Sequence, residues 1–321
     1  MLGIYKYIEL KIIRRFLKLL TFFRIRRLDN KPIPDNFDEI RLFMSVRNEA
    51  LRLPYFFKYY RNLGVDRFFV VDNNSTDESR DFLLKQKDTH IFYTTQKLSY
   101  QPIWFDILLH KYGLGRWCLI VDADEFIIYP YYERITLRDL CFFLKKSGYT
   151  VLRCFLMDMY PEAPLSKVHY KKNDDPISIA PYFDSEWNYY NDHYSGGMRR
   201  RVFGININLN KFPLIYFKPS MALSWGTHYI YGKEISISDI QGALLHFKYF
   251  SDFYRRTAEE VKRKKHWNEA IEYRSYMCVL KQNPNLKLYY DKSVKFVGSQ
   301  QLIKFGIMKS SMELDNFIKN R

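Results

Sequence analysis

Three carboxylates stand together directly after a strongly apolar stretch of this chain. Residues 117–121, Trp-Cys-Leu-Ile-Val, run straight into Asp122-Ala123-Asp124-Glu125. In extended backbone, side chains two positions apart project to the same side, so Asp122 and Asp124 can face one divalent cation. Oxygen donors suit Mg²⁺ or Mn²⁺, and such a cation would neutralise a diphosphate. The alternative is a pair of helix-capping or solvated acids, but three carboxylates where a core strand ends repel one another unless something cationic is bound.

A second polar cluster follows another apolar stretch. Residues 68–71, Phe-Phe-Val-Val, give way to Asp72-Asn73-Asn74-Ser75-Thr76-Asp77. At the carboxyl end of a strand, Asp72 could accept hydrogen bonds from the base or ribose edge of a nucleotide. The alternative is a structural loop in which Asn74 and Ser75 cap the next helix.

Both clusters need strands that end at one edge of a sheet. Apolar runs predict strands over 40–46, 67–71, 90–94, 117–121 and 149–157, and helical patterns over 51–61, 76–86 and 102–112 separate the first four. Repeated β-α-β units predict an α/β fold, with a Rossmann-like, mainly parallel sheet and helices on both faces. Ligands then belong at the carboxyl ends of the strands. Helical periodicity over 253–267 and 269–281 predicts additional C-terminal helices.

Four motifs in this order resemble the bacterial family 2-like glycosyltransferases, which have the GT-A fold. The motifs are Ser45-Val46-Arg47-Asn48-Glu49-Ala50, the stretches 71–77 and 121–125 described above, and Leu244-Leu245-His246-Phe247-Lys248-Tyr249. The resemblance covers roughly residues 38 to 265. It implies transfer of a sugar from a nucleotide-diphosphate donor to a glycan or lipid-linked acceptor, in the synthesis of bacterial surface polysaccharide or lipopolysaccharide.

The resemblance also implies roles for individual residues. Asp122 and Asp124 would hold Mn²⁺ or Mg²⁺, and His246 would complete the metal shell because a neutral imidazole is a good ligand. His228 is the alternative histidine for this place in the metal shell. Arg199 follows Ser195-Gly196-Gly197-Met198, and its guanidinium fork matches phosphate geometry. The expected nucleotide-binding residues are Arg47, Glu49, Asp72, Asn74, Lys97 and Arg199.

An inverting transferase needs a carboxylate that deprotonates the acceptor hydroxyl. Asp158, Asp184, Glu186 and Asp192 follow the metal motif. We select Asp184 as the catalytic base, because residues 181–183, Pro-Tyr-Phe, give it a hydrophobic setting that strengthens a carboxylate as a base.

Charge and composition narrow the classes of protein. Lys and Arg number 51 against 35 Asp and Glu, a net charge of +16 that indicates an anionic partner. Nucleic acid would need basic and aromatic residues interleaved on one platform, and no such signature is found, so we expect no nucleic-acid partner. A catalytically inactive scaffold at a membrane surface is a further alternative. The four cysteines have no CxxC spacing, which is typical of buried thiols in a reducing compartment.

The chain divides by pattern into a basic amphipathic segment over 1–34, a catalytic domain over 35–250 and a helical region over 251–321. Lys11, Arg14, Arg15 and Lys18 follow helical spacing on a different stripe from the apolar side chains, which is typical of an interfacial helix. The alternative is a helix packed on its own domain. No uncharged run reaches the roughly 18 residues of a membrane span. We therefore expect a cytoplasmic protein, peripheral on the anionic inner face of the cell membrane.

Overall fold

The computed structural model describes residues 17–190, 193–224, 228–263 and 271–320. The strands are β1 Arg26–Arg27, β2 Arg41–Val46, β3 Arg67–Asp72, β4 Thr89–Tyr93, β5 Trp117–Ile120, β6 Glu125–Ile128, β7 Val151–Asp158, β8 Tyr182–Phe183, β9 Trp187–Tyr190, β10 His193–Gly196, β11 Asn210–Tyr216, β12 Ala222–Ser224, β13 Tyr229–Tyr231, β14 Ile237–His246 and β15 Val294–Lys295.

The helices are α1 Leu53–Leu63, α2 Ser79–Leu84, α3 Gln101–Tyr112, α4 Leu137–Lys146, α5 Pro176–Ile179, α6 Gly197–Phe203, α7 Phe253–Arg263, α8 Ile271–Gln282, α9 Ser299–Lys304 and α10 Met312–Lys319. Residues 17–22 are also helical.

Nine strands form the central sheet in the order β1-β4-β3-β2-β5-β11-β7-β14-β6. Strands β4, β3, β2 and β5 run parallel to one another, as β-α-β connections require, and β1 is antiparallel to β4. Beyond β5 the sheet is mixed: β11 is antiparallel to both β5 and β7, and β14 is parallel to β7. The predicted α/β fold with a large central sheet is confirmed.

Side chains of the central strands alternate between two apolar layers. Met44 and Val70 pack with α1 on one face, while Phe43 and Phe69 stack at 4.9 Å on the other face, against α3. This period of two follows from the pleat of a strand. Helices therefore cover both faces, as predicted, and the carboxyl ends of β2, β3 and β5 share one edge.

Strand β11 lies in a stretch that the sequence pattern leaves without secondary structure. Pro213 interrupts its alternation, and the register with β7 shifts between Lys211 and Leu214. A proline removes one backbone donor, and an irregularity of the ladder is a place where that loss is tolerated. Because β11 lies between β5 and β7, it places Lys211 in the interior of the sheet.

The N-terminal residues that the structure describes belong to the same folded unit. Strand β1 pairs with β4, Lys18 forms an ion pair of 3.0 Å with Asp106, and Thr21 is fully buried. The predicted boundary after residue 34 therefore does not separate residues 17–34 from the sheet. Lys11, Arg14 and Arg15 lie outside the described residues.

The C-terminal helices also pack on the main domain. Leu302 of α9 and Leu314 of α10 are fully buried in the same apolar layer as Met44. The predicted helices over 253–267 and 269–281 correspond to α7 and α8 as far as the chain is described, since residues 264–270 lie outside the described ranges. Within the described ranges, no helix combines the length and the apolar character that crossing a membrane requires.

Candidate functional site

A cavity of about 680 Å³ opens at the carboxyl ends of β2, β3 and β5. One wall is formed by residues 45–49, Asn73 and the segment 98–102, and the floor by Asp122, Ala123 and Asp124. The opposite wall is formed by one side of α7 and the start of α8, together with four basic or imidazole side chains: Lys211, His228, His246 and Lys248. The sheet therefore brings together the motifs at 45–50, 121–125 and 244–249.

The first carboxylate of the floor is Asp122, whose side chain is 46% exposed. Partial shielding of the carboxyl group from water by the cavity walls, and then the nearby Glu125, raise the pKa of Asp122 to about 6. Lys211 acts against that rise, since its Nζ lies 2.8 Å from Glu125 Oε1 and 3.8 Å from Asp122 Oδ2. Glu125 also accepts a hydrogen bond from the backbone N–H of Asp122 at 3.1 Å. Glu125 therefore stabilises the turn after β5 and also pairs with Lys211.

The second carboxylate, Asp124, is linked to the 244–249 motif. Its Oδ2 lies 3.5 Å from His246 Nε2, and its carbonyl oxygen accepts a hydrogen bond of 2.8 Å from the N–H of Phe247. Burial would raise the pKa of Asp124, but the His246 imidazole lowers it below the ordinary value of an aspartate. Asp124 therefore stays ionised in the cavity.

His246 is held from behind by two buried residues. Its Nδ1 lies 2.7 Å from Asp158 Oδ1, and Arg199 donates to both Asp158 oxygens at 2.6 and 2.7 Å. Burial would lower the pKa of His246, but Asp124 and Asp158 raise it above its ordinary value. The imidazole is therefore more readily protonated than we expected from the sequence, and it must lose a proton before Nε2 can bind a cation.

His228 also reaches the cavity. Its Nδ1 lies 2.9 Å from the carbonyl oxygen of Asn210, an arrangement in which Nδ1–H donates. Burial and the neighbouring Lys211 lower the pKa of His228 to about 4. His228 is therefore neutral near pH 7, which is the form that the sequence argument required of a ligand.

Arg199 does not line the cavity, contrary to the prediction that it faces a phosphate. It is buried, and its guanidinium is occupied by Asp158 and, at 3.1 Å from Nη2, by His246 Nδ1. The preceding glycines have a local role instead of a ligand-binding one. Gly196 has φ +115, and a Cβ there would meet Trp187 Cα at 3.2 Å across the β9–β10 hairpin. Arg199 positions His246 through Asp158.

The carboxylate Glu49 lines the cavity and contacts two arginines of different elements. It pairs with Arg256 of α7 and lies 3.5 Å from Arg52, which in turn pairs with Asp252 at 2.9 Å. Burial raises the pKa of Glu49 to about 7, although Arg256 and Arg52 act in the opposite direction. These contacts fix α7 to the loop after β2.

Three other predicted nucleotide-binding residues do not line the cavity. Asp72 is fully buried, accepts a 2.8 Å hydrogen bond from the Ser75 N–H and pairs with Arg80 at 2.6 Å. Asn74 has a left-handed backbone and accepts a hydrogen bond from Tyr93, and Lys97 is exposed. Asp72 therefore stabilises its own loop and pairs with Arg80, whereas Asn74 and Ser75 do not cap α2, whose N-cap is Glu78. Of the predicted nucleotide-binding residues, Arg47 and Glu49 do line the cavity, and so does Asn73 beside Asp72.

Asp184 is also placed away from the cavity. Arg201 donates to both of its oxygens at 2.8 and 2.9 Å, and the Tyr160 hydroxyl donates to the same carboxylate. Its setting is thus an ion pair and not the hydrophobic pocket that we expected. Among the other candidates for the base, Asp158 is bound by Arg199, Glu186 is exposed beside Lys292, and Asp192 lies outside the described residues.

The side chains that line the cavity include donors that suit a hard cation, although they do not by themselves form a complete metal site. Within the part of the chain that is described, no group of three or more His, Cys, Asp and Glu side chains is arranged to hold a metal ion. Asp122, Asp124 and His246 nevertheless line one cavity and supply the oxygen and imidazole donors of Mg²⁺ and Mn²⁺ chemistry.

Cationic side chains of the protein relieve the repulsion that we expected a bound cation to relieve. The acids at 122–125 do not require a bound metal, because Lys211 and His246 already offset their charge. The sequence pattern did not predict that Lys211 lines the cavity, nor that Lys248, Arg256 and Tyr273 do. Lys248 lies in the motif 244–249, which was a usable signal, whereas Lys211 lies in a stretch without a recognisable pattern.

Comparison with known proteins adds no assignment: neither a protein-family model nor a curated protein matches the sequence.

The buried Arg199–Asp158 pair gives a testable consequence. Substitution Arg199→Leu leaves the Asp158 carboxylate buried without its main partner, so we expect a loss of about 3 to 5 kcal/mol in the free energy of unfolding. Urea denaturation measures this loss. The matched control is Arg200→Leu, an exposed arginine on the same helix, which should change stability by less than about 0.5 kcal/mol. Equal effects of the two substitutions would contradict this role of Arg199.

Proposed function

We propose that this protein is a glycosyltransferase that uses a nucleotide-diphosphate sugar donor and a divalent cation. The observation that carries the proposal is the position of Asp122 and Asp124 on the floor of the cavity, at the carboxyl end of β5. Ligands of doubly wound α/β sheets bind at this edge. The motif at 45–50 forms the adjacent wall, and the motif at 244–249 supplies His246. The GT-A resemblance, read from these same motifs, remains part of the proposal.

The cavity residues have distinct roles in this proposal. A bound Mg²⁺ or Mn²⁺ would supply positive charge to the leaving diphosphate. Asp122 and Asp124 would hold the cation, with His246 kept in orientation by Asp158. Lys211 lies beside Asp122 and Glu125 and offsets the repulsion between the acids, so the floor can stay folded without the cation. The acceptor would be a glycan or a lipid-linked glycan of bacterial surface polysaccharide.

The acidic floor gives the direct test of the reaction. Asp122→Asn and Asp124→Asn should each reduce sugar transfer or donor hydrolysis by at least 100-fold, because each removes one anionic ligand of the cation. Both variants should still unfold cooperatively. Turnover of a panel of nucleotide sugars with Mn²⁺ measures the effect, and Asp81→Asn, an exposed acid on α2, is the matched control. Full activity of both Asn variants, or undiminished turnover by the wild type in excess chelator, would refute the cation-dependent mechanism.

We further propose that the protein acts at the cytoplasmic face of the membrane. Leu19, Phe22 and Phe23 are 57%, 52% and 77% exposed, and Arg24 and Arg26 beside them are exposed as well. Exposed apolar side chains next to basic ones fit an anionic lipid surface. Lys18 of the predicted basic stripe is instead paired with Asp106.

Vesicle binding tests this surface. The double substitution Phe22→Ser and Phe23→Ser should reduce cosedimentation with vesicles of anionic lipid by about 10-fold or more, since two large apolar side chains no longer insert. Met312→Ser removes an equally exposed apolar side chain from α10 and should have no effect. Raised salt should also release the wild type. If the double variant cosediments as well as the wild type, this face does not bind membranes.

A further inference from the structure

Four ring side chains form a row across two small hairpins beside the cavity. In the β9–β10 hairpin, Tyr190 is the register partner of His193, so both side chains lie on the same face. In the β12–β13 hairpin, Tyr229 and Tyr231 are two residues apart on β13 and also share a face. The rings of His193 and Tyr229 lie 6.3 Å apart, edge to face, and join the two hairpins. We call these four side chains the aromatic row.

The aromatic row faces solvent and not the core. The opposite face of the β9–β10 hairpin holds Trp187 and Tyr194, whose rings lie 5.5 and 5.2 Å from the ring of Phe155 in β7. The pleat therefore directs Tyr190 away from the sheet, and this residue is 76% exposed. Tyr231 is 51% exposed. A contiguous group of exposed aromatic side chains is typical of a binding surface.

The aromatic row adjoins the cavity through His228. This histidine lines the cavity, and Tyr229 is the next residue, so their Cα atoms lie about 3.8 Å apart. The His228 ring is held at 2.9 Å by the carbonyl oxygen of Asn210, the neighbour of the cavity residue Lys211. The Tyr229 hydroxyl accepts a hydrogen bond of 3.4 Å from Asn208. A ligand that lies on the row can therefore extend into the cavity.

The surface of the two hairpins is polar but uncharged. Residues 187–190, 193–196 and 229–231 include no Lys, Arg, Asp or Glu, although the whole chain has a net charge of +16. The exposed amide of Asn188 lies on the same face as Tyr190 and supplies hydrogen-bond donors and an acceptor. Anionic lipids and nucleic acids are attracted by positive charge, which this face lacks. The face therefore complements a neutral ligand.

A neutral saccharide fits this combination of groups. The face of an aromatic ring is electron-rich, so it attracts the weakly positive C–H groups on one face of a sugar ring. The sugar hydroxyls both donate and accept hydrogen bonds, as the amide of Asn188 and the tyrosine hydroxyls do. Several rings in a row provide successive stacking positions, which suits a chain of sugars better than a single one.

We propose that the aromatic row is a subsite for a neutral oligosaccharide, which holds the acceptor glycan at the rim of the cavity. That the saccharide is the acceptor rests on the proposed function, whereas saccharide binding is inferred from the row itself. Tyr229, next to the cavity wall, contacts the sugar nearest the reaction. Tyr190 and Tyr231 contact sugars farther from it. Because all of these side chains lie outside the cavity, the row does not contribute to donor binding.

Binding of neutral oligosaccharides to the full chain tests the subsite. A panel of hexose and N-acetylhexosamine oligosaccharides is titrated without nucleotide or cation. We expect at least one member to bind the wild type, and the double substitution Tyr190→Ser and Tyr231→Ser to weaken that binding about 10-fold, because two stacking rings are lost. The double substitution Tyr190→Phe and Tyr231→Phe keeps both rings and should change the affinity less than about threefold.

The matched control is Tyr254→Ser. Tyr254 is a tyrosine of α7 that is 50% exposed and lies outside the row, so its loss should leave saccharide affinity unchanged. In a transfer assay, the Ser double variant should raise the KM for a soluble acceptor about 10-fold and leave the KM for the donor unchanged. The melting temperatures of all variants show that each remains folded.

Three results would overturn the subsite. One is that no oligosaccharide of the panel binds the wild type at millimolar concentration. Another is equal affinity of the wild type and the Ser double variant. The third is a wild-type dimer that dissociates in the Ser double variant while no saccharide binds, which would assign the row to contact between copies of this chain. None of these results bears on the tests of Asp122 and Asp124. Conversely, saccharide binding that depends on the row, without turnover of any nucleotide sugar, would refute the proposed reaction and leave the subsite standing.

Discussion

The structure around the cavity depends on matching buried carboxylates with cations. Asp122, Asp124 and Glu125 follow a core strand, where like charges would repel. Lys211 and His246 supply the opposite charge, from β11 and β14 respectively. Neither strand neighbours the other in the sheet, so the pairing fixes two separate parts of the chain around β5. A buried charge left without its partner costs several kcal/mol, which makes this arrangement a strong constraint on the fold.

The same constraint explains how the cavity is closed on its far side. Helix α7 is joined to the loop after β2 by the pairs Arg256–Glu49 and Asp252–Arg52. Behind His246, the Asp158–Arg199 pair continues the alternation of charges into the core. The acids of the floor are therefore balanced within the protein. His246 would hold a divalent cation only in its neutral form, because a protonated imidazole has no free lone pair at Nε2.

Much of the parallel half of the fold could be predicted from the sequence, because the strands predicted over 40–46, 67–71, 90–94 and 117–121 are mostly apolar. The floor of the cavity was predictable for the same reason, since Asp122 and Asp124 directly follow such a run. The partners of buried polar groups were not predictable. Arg199, Asp184 and Asp72 each look suited to a ligand in the sequence, yet Asp158, Arg201 and Arg80 occupy them in the structure. These pairs join residues whose spacing along the chain follows no local pattern.

Thermal unfolding of the full chain with a panel of nucleoside diphosphates, with and without Mn²⁺, tests most directly whether the cavity is a nucleotide site. A ligand that binds only the folded state raises the melting temperature. If the cavity at the ends of β2, β3 and β5 is a donor site, at least one nucleoside diphosphate should raise the melting temperature, and Mn²⁺ should increase that rise. Substitution of Asp124 by Asn should remove the increase due to Mn²⁺. An unchanged melting temperature with every nucleotide at millimolar concentration, with and without Mn²⁺, would contradict a nucleotide site in this cavity.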